Sequence, residues 1–135
     1  MSAATTAALP ALTTASAAER AILRSLAKRI DKLADEAIDA GIDAESSIAY
    51  QRRHARPVTA DDLRGIGELI DFRANRVTDA LDALDGITAT LADDPATSPT
   101  AADAATVLRG AIEDVRKLLA RHARPDLRAR FRAAG

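Results

Sequence analysis

Two histidines, a few serines and a run of arginines are the residues of this 135-residue chain that could do chemistry. His54 and His122 are the candidate metal ligands or proton carriers. A di-metal site in a helical bundle takes Glu-x-x-His pairs with further inward carboxylates. Neither histidine has a glutamate three residues before it. A zinc site takes three or four ligands, and the chain has no cysteine. Both histidines sit among arginines where helices are expected to end, and there a cation suits the helix dipole. Titration near neutrality leaves a pH-dependent contact as their one chemical use.

A serine nucleophile would have to be Ser25, Ser46, Ser47 or Ser98, and none sits in a strand-to-helix elbow. Gly65-Ile66-Gly67 falls inside an expected helix and lacks the third glycine of a phosphate-binding turn. No catalytic residue, metal ligand or cofactor site is expected, and the chain reads as a non-enzyme.

Charge is balanced overall, with 19 basic and 20 acidic residues, so no bulk field points to nucleic acid or acidic lipid. Its distribution is uneven. Residues 66–115 carry 3 basic and 10 acidic side chains, whereas residues 116–135 carry 7 basic and 1 acidic. Lys117, Arg121, Arg124, Arg128 and Arg132 recur every three to four residues, which makes one cationic stripe if the chain stays helical. With Leu127 and Phe131, the residues Arg121, Arg124, Arg128 and Arg132 form the candidate partner-binding segment. Arg52, Arg53, His54 and Arg56 form a second basic cluster. The sequence Arg-His-Ala-Arg-Pro occurs twice, at 53–57 and 121–125, each time closing an expected helix. Phosphate contact would make such clusters salt-sensitive binders, but no reader motif is visible and stacking aromatics are nearly absent. Arginine outnumbers lysine 16 to 3, which together with the alanine and aspartate excess suggests a GC-rich bacterial source.

The elements that must position these groups are helices. Leu63, Ile70, Val77, Leu84 and Leu91 recur every seven residues, the seam of a long helix packed in coiled-coil fashion. Ile66, Arg73 or Ala74, Ala80 or Leu81, and Ile87 follow them three or four residues on. The expected self-association seam is therefore Leu63, Ile70, Arg73, Val77, Leu84 and Leu91. A charge at Arg73 is expensive in a seam unless paired; the plainer reading turns Arg73 to the edge and Ala74 inward. Phe72 lies on the outer side, which implies that this helix is contacted on more than one face.

Thr59 and Asp62 form a capping box at the start of the long helix, Ser16 and Glu19 form one before it, and Thr100 and Asp103 form a third. Leu23, Leu26, Ile30, Leu33, Ala37 and Ala40 give the first helix its inward stripe, widened by Ile22, Ala34 and Ile38. Gly41 is placed to end that helix, and residues 43–55 read as a separate short one stopped by Pro57. Residues 93–99, with two prolines, form a loop. Ala104, Leu108, Ala111, Val115, Leu118 and His122 line the last helix, widened by Ile112 and Leu119.

The expected fold is all-α: an antiparallel bundle of three long helices plus one short helix, with heptad packing. Residues 1–15 read as a flexible tail, 16–124 as the bundle and 125–135 as a basic tail. With 33 alanines and only two Phe, one Tyr and no Trp, the core is thin, and self-association would bury more surface. The expected function is that of an interaction or assembly protein, a cytoplasmic homodimer that presents helix faces and a basic tail to a protein partner. A nucleic-acid-associated regulator using the arginine clusters is the alternative, and a small helical enzyme the third. No apolar run is long enough for a membrane span.

Overall fold

Three helices pack pairwise against one another in a computed structural model that describes residues 9, 12, 14–53, 57 and 59–123, with side chains left aside at 41–48 and 50–52. Helix α1 is Ala17–Arg53, α2 is Ala60–Asp93 and α3 is Pro99–His122. No strand occurs among the described residues. Asp85 faces Arg109 and Asp82 faces Arg116, so α2 and α3 run antiparallel. Ile22 neighbours Ile87 and Leu91 while Glu36 neighbours Arg76, so α1 and α2 do too. At 1.5 Å per residue the helices are about 55, 51 and 36 Å long. The end of α3 reaches only the level of Ala74 and Asn75 on α2. The first third of α2 therefore runs on past α3.

The centre of the expected α1 stripe is buried, Leu23, Leu26, Ile30, Leu33, Ala37 and Ala40; of the residues expected to widen it, Ala34 and Ile38 are half-buried and Ile22 is exposed, because it lies at the edge of the face that α2 and α3 cover. The stop at Gly41 and the separate short helix are not seen; α1 runs unbroken through Gly41 to Arg53. A glycine in a helix interior costs only about 1 kcal/mol relative to alanine. Breaking the helix there would forfeit several backbone hydrogen bonds beside an antiparallel partner, α2, of nearly equal length.

Alternation of three and four residues leaves two candidates at each second position of a stripe. On α2 the buried set is Ile66, Gly67, Ile70, Ala74, Val77, Leu81, Leu84 and Thr88. Leu81 is thus inward and Ala80 half-buried; on α3 Ile112 and Leu119 are inward, and Ala111 and Leu118 half-buried. Burying leucine or isoleucine in place of alanine gains roughly 0.8 kcal/mol per extra methylene. The same phase buries Thr88 and leaves Ile87 exposed, the reverse of hydrophobic preference. Thr88 tolerates this because its hydroxyl donates to the carbonyls of Leu84 and Asp85, each at 3.0 Å. One residue out of register is accepted so that Leu81 and Leu84 can both turn inward.

Helix starts follow local chemistry with one shift. Thr59 and Asp62 make the expected capping box, at 3.1 and 3.0 Å. The cap of α3 is Ser98 rather than Thr100, and its hydroxyl accepts from the Ala101 amide at 3.3 Å. Pro99 explains the shift: its fixed φ and missing N–H suit the first helical position, so the residue before it becomes the cap. Ahead of α1, Leu9 and Leu12 pack partly buried against the core and Ala15 belongs to it.

Candidate interaction surface

Ile70, Val77 and Leu84 face the chain's own core, and Leu63 and Leu91 pack half-buried beside it. The heptad seam on α2 therefore packs into the chain's own core. Arg73 is half-buried while its neighbour Ala74 is buried. With Arg76 and Val77, Arg73 lines an open groove of about 480 Å³ against Glu36 and Asp39 of α1. That groove sets guanidinium groups against carboxylates, a charge-balanced wall between two helices.

The opposite face of α2 carries the apolar surface that the core does not use. Phe72 is 65% exposed and Leu69 40%. Further along, Ile87 is 43% exposed, and Ile22 of α1 stands next to it at 46%. Ile22, Ala83, Gly86, Ile87, Thr90 and Leu91 line a shallow, mostly apolar groove of about 580 Å³. Scattered exposed apolar residues are ordinary on any surface, but a phenylalanine and a leucine one turn apart on one helix are a patch with a direction. Sequence reading found Phe72 by its outward position; it missed the groove, because Ile22 is far from Ile87 in the chain.

Charge is arranged on the flank between α2 and α3. Asp82 takes a 2.8 Å contact from Arg116, which also donates to Glu113 at 3.1 Å. The Asp82 carboxylate holds the Arg116 guanidinium above its ordinary pKa. These side chains are about one-third to two-thirds exposed, so the pairs orient the helices and add little to stability. The acidic surplus of the middle of the chain is thus partly answered by arginines of α3.

At the closed end of the bundle, Glu19 joins two helix starts. Its carboxylate accepts from the Ser16 amide at 2.9 Å, from the Ser98 amide at 2.9 Å and from the Ser98 hydroxyl at 3.0 Å. These hydrogen bonds, the Ser16 amide first, hold the Glu19 carboxyl below its ordinary pKa. Thr14 and Thr100 hydrogen-bond through their hydroxyls beside it. The box with Ser16 was legible in the sequence; the bond to Ser98, seventy-nine residues away, was not.

Of the basic clusters, Arg121 and Arg53 are exposed at the ends of α3 and α1. Arg124, Leu127, Arg128, Phe131 and Arg132 lie outside the described residues, as do His54, Arg56 and the side chain of Arg52. His122 is the half-buried last residue of α3. Among the described residues, no three histidine or carboxylate side chains come together as a metal site. No helix among them is long and apolar enough to cross a membrane. Comparison with protein-family models, with curated proteins and with solved structures found no match to this chain.

Proposed function

We propose that this protein is a non-enzymatic interaction protein, a helical bundle that self-associates and offers helix faces and its basic C-terminal segment to a partner. The observation that carries the reading is the exposure of Phe72 and Leu69 on the outer face of the helix whose inner face is already filled. A large aromatic left in water forgoes burial worth roughly 1.5–3 kcal/mol. A second contact on that face recovers it. The heptad seam of α2 faces the bundle's own core, so we assign self-association to the outer face of the same helix.

Light scattering over a concentration series tests the reading. A mass that rises from one chain toward two is the expected result. A mass of one chain at every concentration would refute self-association.

A further inference from the structure

Along the outer face of α2, Leu69, Phe72, Arg76, Asp79, Ala83 and Gly86 follow one another at spacings of three and four residues. All six are exposed. That alternation keeps them on one stripe, the spacing by which two helices mesh lengthwise. The stripe has a second property. Laid antiparallel against a copy of itself, with the twofold axis between the levels of Val77 and Thr78, it sets Phe72 opposite Ala83 and Leu69 opposite Gly86. Arg76 then stands opposite Asp79. In a twofold contact each pairing occurs twice, so the large side chains meet small ones at four places and opposite charges meet at two. The pattern extends one turn further, where Gly65 falls opposite Thr90.

Three observations on the single chain fit this arrangement. Gly65 and Gly86 have nothing within 4 Å of where a Cβ would stand, so each leaves room for a neighbouring helix. Neither Arg76 nor Asp79 has an ion pair among the described residues, although Arg76 also borders the groove that Glu36 and Asp39 of α1 line. Ala83 and Gly86 line the apolar groove together with Ile22 and Ile87, and these are the two positions that a second copy's Phe72 and Leu69 would meet.

We propose that the partner of the outer α2 face is a second copy of this chain, packed antiparallel so that Phe72 and Leu69 of each copy enter the other's groove over Ala83 and Gly86, with Arg76 of each paired to Asp79 of the other. The inference rests on the self-association reading and adds its face, direction and register. Charge selects this register in both directions, and size selects it against the slip that sets Phe72 on Asp79. A slip of one helical turn sets Phe72 against Asp79 or Gly86 and breaks both ion pairs.

The test uses the full chain, Arg76→Glu and Asp79→Arg, each run alone and then mixed in equal amounts on a light-scattering column. In either homodimer the substitution sets like charges opposite each other at both junctions; in the mixed pair opposite charges meet at both. Each variant alone should associate on the order of tenfold more weakly than the unaltered chain or worse, and the mixture should recover dimer. Both positions are exposed, so unchanged helix content, and an unchanged melting temperature at a concentration where every chain is monomeric, confirm the fold. Phe72→Ala should weaken association without any charge change. A dimer indifferent to all three substitutions, or two dissociated variants that fail to recover on mixing, would overturn the register while self-association stands. An unaltered chain that stays monomeric would overturn both.

Discussion

Helix α2 has two faces with nearly the same periodicity and opposite fates. The inner stripe, Ile70, Ala74, Val77, Leu81, Leu84 and Thr88, is buried throughout. The outer stripe, from Leu69 through Phe72 and Arg76 to Gly86, is exposed throughout. The inner stripe is uniform in character, with small and medium apolar side chains and one threonine whose hydroxyl is satisfied within the helix. The outer one mixes a phenylalanine, a leucine, two opposite charges, an alanine and a glycine. A core facing two helices at once needs apolar volume at every level. A surface that faced a second copy of itself would need complementary partners at paired levels. Spacing alone does not tell the two apart; what fills the spacing does.

Leu81→Ala against Phe72→Ala tests this contrast most strongly. Leu81 is fully buried, so its truncation should cost about 2–5 kcal/mol in urea unfolding. Phe72→Ala, measured at a concentration low enough to keep the chain monomeric, should stay within about 0.5 kcal/mol of the parent. Similar losses at the two sites would mean that the faces do not differ in the way described.

Gly86→Ala sharpens the comparison because its two effects have opposite signs. An added methyl meets nothing within 4 Å in the single chain, so the monomer should gain up to about 1 kcal/mol from helix propensity. The same methyl intrudes where Leu69 of a second copy would lie, so association should weaken. Gly110, on α3 and equally open, is the control: alanine there should stabilise without touching association.

The smallest effect concerns neither face of α2 but the end of the bundle where Glu19 joins the starts of α1 and α3. Glu19 titrates below its ordinary value in the folded protein because of the Ser16 and Ser98 amides. A carboxyl with a depressed folded pKa contributes stability above its unfolded pKa and loses it as pH falls through the folded value. Glu19→Gln should therefore flatten the acid side of the melting-temperature profile and lower the plateau at neutral pH. An unchanged profile would mean that the link between the starts of α1 and α3 adds nothing.

Much of the fold was legible because it is local. The Ser16–Glu19 and Thr59–Asp62 boxes need only three residues of separation. The α1 stripe from Leu23 to Ala40 needs only one helix and one apolar face. Gly41 misled because a helix stop is also a local signal, and a long antiparallel neighbour outweighed it. Phe72 was visible as an outward aromatic, but the groove beside Ala83 was not, since Ile22 enters it from another helix.

By itself, then, the sequence determined that the chain is helical, where two of its three helices are capped, and that α2 is long with a repeating apolar seam. Those features follow from backbone hydrogen bonding and side-chain periodicity within a few turns. Only the tertiary structure decided that α1 continues past Gly41, that Ser98 caps α3 under the hold of Glu19, that Leu81 and Ile112 turn inward ahead of Ala80 and Ala111, and that the seam serves the chain's own core. Packing against another helix decides the first and last of these; the Ser98 cap also follows from Pro99 at the first helical position, and the inward Leu81 and Ile112 from their larger apolar surface.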